Sequence, residues 1–224
     1  MTSTYAIVAP VAYLLGSIPF GYILVKLFLK QDIRQTGSGN IGATNVARSG
    51  KKGLAIATLL LDAAKGSLAV LVTRSIFPSE GQPGYVEGVA GIAAVLAALF
   101  AVIGHCFPIW LKFQGGKGVA TAVGALVMVA PVPALVSLVI FALVFAVTKF
   151  VSLGSIIAAA VFPIVAYFNL QPAFRLRLVA MLAAMSAIVI VKHRANIGRL
   201  LAGTEPKFGS KSVPKNPVQA EHSA

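Results

Sequence analysis

Long apolar runs separated by short polar ones set the architecture of this chain. Runs at 5–28, 54–73, 89–110, 151–169 and 176–191 have the length of membrane-crossing helices, which need about 20 mainly apolar residues. A further apolar tract covers 119–148. As one helix its roughly thirty residues would reach about 45 Å, and Pro131 and Pro133 interrupt it. Two shorter helices meeting near the prolines are therefore expected. The first run, with Pro10 and Pro19 and no basic stretch ahead of it, reads as a retained span and not as a cleaved leader.

The charges between the runs give the sides. Residues 26–52 carry Lys26, Lys30, Arg34, Arg48, Lys51 and Lys52, which places that loop in the cytoplasm. The loop at 74–88 sets Arg74 against Glu80 and Glu87 and reads as exterior. Residues 111–118 carry Lys112 and Lys117, and from Lys192 onward the basic residues are Lys192, Arg194, Arg199, Lys207, Lys211 and Lys215. Holding all three basic regions on one side demands an even number of spans between 118 and 192. The sequence therefore predicts an all-α, polytopic membrane bundle of about seven helices, N-terminus outside and C-terminus cytoplasmic, with Arg175 and Arg177 outside. Residues 1–210 form the single domain, and 211–224 a polar cytoplasmic tail expected to be disordered.

Composition agrees. Of 224 residues 58% are hydrophobic and 11% charged, against about 25% charged in soluble domains, and the mean hydropathy is +0.88. Nineteen Lys and Arg against six acids give a formal charge of +13. In a membrane protein that balance suits anionic lipid and anionic substrates. Nucleic acid is not expected, since the basic residues are dispersed with few aromatics among them. One cysteine, Cys106, excludes an intrachain disulfide and a thiolate cluster, and neither a metal nor a cofactor is expected.

Candidate chemistry gathers in three polar clusters on the predicted cytoplasmic side. In "RQTGSGNIGATNVARSGKKG", residues 34–53, Gly37, Gly39 and Gly42 spell G-x-G-x-x-G, with Asp62 where a ribose-binding acid would stand. That fingerprint needs a strand before it and a helix after it; here membrane spans flank the loop and Asp62 falls mid-span. The glycines still suit close approach to an anion, Ser38, Asn40, Thr44 and Asn45 add neutral donors, and Arg48 adds a fork suited to phosphate.

The second cluster is "FQGGKGVAT", residues 113–121. It departs from a P-loop, because Gly118 follows Lys117 and no glycine stands at Leu111. Gly115, Gly116 and Gly118 around Lys117, opening a helix at Val119, nevertheless form an anion nest. The third is "KHRANIGRLLAGTEPKFG", residues 192–209, where His193 and Asn196 share a face of a continuing helix and Glu205 follows Gly203. Within the spans, Asp62 and Lys65 suit either a structural pair or a catalytic role, and His105 reads as an interface histidine.

"SGNIGATNVAR" followed by "DAAKG", then "GHCFPIWLKFQGGKGVAT", then "HRANIGRLLAGTE" resemble the signature regions of the PlsY-type bacterial glycerol-3-phosphate acyltransferases, in family order and over about a third of the chain. The resemblance implies transfer of an acyl group from acyl phosphate to the 1-hydroxyl of sn-glycerol 3-phosphate. The products are 1-acylglycerol 3-phosphate and phosphate, in the first acylation of phospholipid synthesis at the inner face of the bacterial cytoplasmic membrane. It also implies a functional link to an enzyme producing acyl phosphate. Carried onto this chain, His193, Ser38, Arg48 and Lys117 would be catalytic. Gly39, Asn40, Thr44, Asn45, Gly115, Gly116, Gly118, Asn196 and Glu205 would bind substrate or support the site. The rival expectation is an organic-phosphate transporter, against which stand the gathering of the clusters on one side and the lack of repeated halves.

Overall fold

The computed structural model describes residues 2–77 and 88–209. The described chain is helical, and no strand occurs among these residues, which removes the dinucleotide fold on direct grounds. Glu80, Glu87 and the tail at 211–224 lie outside the described residues.

Each apolar run becomes a helix. The first is broken at Ile18–Pro19 into α1 (Thr2–Ser17) and α2 (Phe20–Leu29), because proline supplies no N–H to the turn behind it. After the short α3 (Ala43–Arg48) come α4 (Lys52–Ile76) and α5 (Val89–Cys106). The long tract divides at Ala130 into α6 (Val119–Val129) and α7 (Pro131–Thr148), as the prolines predict, with Pro131 at the first turn where its missing N–H costs nothing. Then follow α8 (Val151–Asn169), α9 (Arg175–Lys192) and α10 (Arg194–Leu201).

Among the described residues five helices are long and apolar enough to cross a membrane, 6–29, 52–76, 90–111, 131–148 and 151–169. A sixth candidate is the pair α9–α10, bent by 56°. The remaining helix, α6, has 11 residues and spans about 16 Å, half of a hydrocarbon core.

Small residues set the packing, as between membrane helices generally. A side chain at Gly66 of α4 would overlap the Thr121 carbonyl of α6, and one at Gly124 would overlap the Ala63 carbonyl. Ser67 Oγ donates to Gly124 O at 2.8 Å across the same seam. Gly16 and Gly104 bring α1 against α5 in the same way. Around them lies a core of Val70, Val95, Ala98, Val102, Ala125, Phe162, Leu182, Met185 and Val189. Outward, α7 exposes Val132, Leu135, Val139, Leu143 and Val147, the lipid-facing stripe that a membrane helix needs.

Hydrogen bonds fix which ends lie together. Arg74 at the end of α4 donates to Met128 O at the end of α6, 2.6 Å. At the other end, the Phe208 N–H reaches Lys149 O between α7 and α8, 2.8 Å. The three basic loops converge at this second end.

Candidate active site

A cavity of about 990 Å³ opens there, lined by residues of all three clusters. The first loop owes its shape to one amide. Asn45 is buried; its Nδ2 donates to Ile33 O, Thr36 O and Asn40 O at 3.1, 3.1 and 2.8 Å, and its Oδ1 accepts the Ser38 N–H at 2.9 Å. Asn45 therefore builds the loop, and it also lies in the lining of the cavity, where a substrate contact was expected of it. Gly37 and Gly39 turn the chain with φ of +53° and +73°, where side chains are disfavoured. Gly42 instead is extended at φ −79°. The result presents Ser38, Asn40, Thr44 and Arg48 to the cavity. Arg34 is held away by a two-pronged pair with Asp32, 2.9 and 2.6 Å, whereas the Arg48 guanidinium has no hydrogen bond or ion pair among the described residues.

The second loop folds back on the end of α5. Gly115 N–H donates to Cys106 O (3.3 Å) and Gly116 N–H to His105 O (3.0 Å). These amides are spent inside the protein, so the expected nest reduces to Lys117 and the start of α6, where Gly118 caps the helix at φ +83°. Gly39, Gly115 and Gly116 do not line the cavity; Lys117 and Gly118 do. Burial pushes the Lys117 ammonium down to about 8; Glu205 favours its charge, and Arg199, Arg48 and Lys192 oppose it.

In the third cluster the expected continuous helix is broken. The chain bends at His193, whose carbonyl accepts the Asn196 N–H at 2.8 Å and starts α10. The bend, not helical spacing, brings His193 and Asn196 to the cavity. His193 Nδ1 lies 2.8 Å from Val189 O, a carbonyl that can only accept, so Nδ1 carries the proton and the neutral ring keeps its lone pair on Nε2.

Glu205 organises the far wall. Its Oε1 accepts from Ser152 Oγ and Asn196 Nδ2, both at 2.7 Å, and its Oε2 from Arg199 Nε at 2.7 Å. Burial raises its carboxyl, and the bonds from Ser152, Asn196 and Arg199 outweigh that and hold it below the usual range. Asn196 Oδ1 in turn accepts from Lys117 Nζ at 2.6 Å, so Glu205, Asn196 and Lys117 form one chain. Ser152, Ser155, Ile56, Leu59 and Phe141 line the cavity as well and were not singled out from the sequence. Two serines spaced i, i+3 in an apolar run were the available signal. His105, read as an interface residue, is 4% exposed and stands beside Asp62.

The arrangement sets Arg48, Lys117, the Ser38 hydroxyl and an unprotonated imidazole nitrogen around one volume, with Lys52 and Lys207 also in its lining. The wall continues onto Ile56 and Leu59, 58% and 48% exposed, on the outer face of α4. Groups suited to phosphate thus adjoin a side suited to hydrocarbon. No cluster of metal ligands occurs among the described residues.

Comparison with known proteins gives the family and the fold. Residues 6–203 match the family model described as glycerol-3-phosphate acyltransferase. A glycerol-3-phosphate acyltransferase of Mesorhizobium japonicum is 48% identical over 199 residues, 89% of this chain and 93% of the relative. That of Agrobacterium fabrum is 45% identical, covering 92% of this chain and 93% of the relative. Crystal structures of PlsY, an integral membrane glycerol 3-phosphate acyltransferase, superpose with TM-scores of 0.79 (glycerol 3-phosphate form) and 0.76 (lysophosphatidic acid form). The first is 34% identical and covers 92% of this chain and 96% of its own. The chain belongs to the glycerol-3-phosphate acyltransferase family, and its fold is that of PlsY.

Proposed function

We propose that this protein transfers an acyl group from acyl phosphate to the 1-hydroxyl of sn-glycerol 3-phosphate, releasing 1-acylglycerol 3-phosphate and inorganic phosphate. One observation carries the reading. Arg48, Lys117, Ser38 and His193, from three separate loops, face one cavity whose wall runs onto lipid-exposed Ile56 and Leu59. Such a site holds two phosphates while an acyl chain stays in the bilayer.

The hydroxyl oxygen attacks the acyl carbonyl carbon and forms the new ester C–O bond. The bond from that carbon to the phosphate oxygen breaks, and phosphate leaves with the electron pair. His193 Nε2 takes the hydroxyl proton and returns it to the leaving phosphate. Arg48 and Lys117 stabilise the charge as it moves from carbonyl oxygen to phosphate, Ser38 orients a substrate oxygen, and Asn196, bonded to both Glu205 and Lys117, holds the lysine in place. An acyl phosphate is a mixed anhydride, so its phosphate departs without strong acid help.

The same reading places the protein in the bacterial cytoplasmic membrane with the cavity on the inner side, fed by an enzyme that makes acyl phosphate. The meeting of the three basic loops at one end supports seven passes, N-terminus outside, with α6 as a short outward pass and α7 as the return.

The test is purified protein with palmitoyl phosphate and glycerol 3-phosphate, following phosphate and lysophosphatidate together. Equal release of both, abolished in Arg48→Ala, is expected. Phosphate without lipid, or equal use of palmitoyl-CoA, would overturn the reading.

A further inference from the structure

At the cavity wall, where Asp62 and His105 join the lining, lies a charged set that the transfer chemistry leaves without a task. Asp62 and Lys65, one turn apart on α4, pair at 2.8 Å with 3% and 2% of their side chains exposed. His105, near the end of α5, brings Nδ1 to 3.5 Å from the same Asp62 oxygen. Lys65 also donates to Ile18 O at 2.7 Å, at the break between α1 and α2. Ionisable groups are expensive inside a membrane, and a buried pair is often no more stable than well-packed apolar residues. Stability alone therefore gives no account of the set.

What the set touches does. The second loop is folded against His105: its carbonyl accepts Gly116 N–H, and the next carbonyl, of Cys106, accepts both Gly115 N–H (3.3 Å) and Lys192 Nζ (2.9 Å). The His105 ring fills the space beside the Gly116 α-carbon. The three atoms nearest to a methyl group placed there all belong to that ring, and Nε2 would be overlapped. Lys117 is the next residue.

We propose that His105, packed beside Asp62 and against Gly116, is a positioning residue that sets the height of the Gly115–Gly118 loop and so aims Lys117 into the cavity. The inference rests on the reading of Lys117 as a phosphate-binding cation.

The contact is reciprocal, which makes it testable. Gly116→Ala drives a methyl group into the ring. His105→Asn removes the far edge of the ring while keeping an N–H donor beside Asp62. Wild type, both single variants and the double variant, full-length in detergent, are compared for kcat, for both KM values, and for the melting-temperature shift given by glycerol 3-phosphate.

Gly116→Ala is expected to lower kcat/KM by up to about 10²-fold, the scale of an ångström-sized misplacement. His105→Asn should raise the KM for glycerol 3-phosphate about tenfold, with kcat within about threefold. The double variant should recover at least about fivefold over Gly116→Ala alone. Losses that multiply in the double variant, or a folded His105→Asn with both KM values unchanged, would overturn the proposal. Asp62→Asn, which removes the charge packed beside the ring and keeps the ring itself, should raise the same KM, and an unchanged KM there counts equally against it. If wild type shows no acyl-phosphate turnover, the functional reading has failed separately. The melting shift still decides the coupling: recovery in the double variant supports positioning, and additive loss overturns it.

Discussion

Lys117 gives up its proton at about pH 8, and the protein should lose its grip on phosphate at the same point. Burial is the main cause, reinforced by Arg199, Arg48 and Lys192 against the pull of Glu205. A group with this value is about nine-tenths charged at pH 7 and about one-tenth charged at pH 9. The substrate phosphate is already a dianion over that range, since its second ionisation lies near 6. The kcat/KM for glycerol 3-phosphate should therefore fall about tenfold between pH 7 and pH 9, because it reports groups of the free enzyme. The kcat limb should lie at higher pH, since bound phosphate favours the ammonium. In Lys117→Arg the limb should vanish from this range, because guanidinium stays charged. An unchanged alkaline limb in Lys117→Arg would refute the assignment. The stability linkage has the opposite sign. Between about 8 and the unfolded value of 10.5 the unfolded chain binds more protons at Lys117, so this residue makes the ligand-free fold more stable as pH rises.

Three further outcomes follow from the geometry. Asn45→Asp replaces a donor amide by an oxygen facing three carbonyls, at about 1–3 kcal/mol for each polar group left unsatisfied. Activity should fall at least about a hundredfold with helical circular dichroism retained; near-normal turnover would show that the loop does not depend on this residue. Glu205→Gln weakens the Arg199 pair, 36% exposed on the arginine side, so after solvent screening a loss of about 1–2 kcal/mol, or about 2–8 °C in melting temperature, is expected. Because the Glu205 carboxyl is held below its ordinary 4.5, that difference should persist above pH 4.5 and close as pH falls through the folded value; a gap unchanged in acid would contradict the pairing. Gly124→Ala forces α6 off the Ala63 carbonyl and should abolish monodisperse protein in size-exclusion chromatography, whereas wild-type melting would mean that the seam is looser than it looks.

Much of this was legible in the sequence because it depends on local chemistry. Apolar run lengths gave the helices, Pro131 gave the break at Ala130, and the one-sided basic loops gave the convergence that the cavity displays. What escaped depends on partners remote in the chain. Gly115 and Gly116 resemble an anion nest until Cys106 and His105 claim their amides. Asn45 resembles a ligand until three carbonyls surround it. His105 resembles an interface residue until α4 sets Asp62 beside it. The bend at His193 leaves no mark in composition, since each side of it is a good helix by itself.

The cavity wall that runs out onto Ile56 and Leu59 bears on how supply of the fatty substrate is measured. A site open to the bilayer draws its acyl donor from two dimensions and its glycerol 3-phosphate from three. Crowding in the leaflet, expressed as mole fraction of donor among the surrounding lipids, is then the quantity that saturates the enzyme, and bulk molarity is not. Extra detergent or lipid dilutes one substrate and leaves the other untouched. On the proposed reading the acylated product would leave sideways into the same leaflet, without its chain ever crossing water.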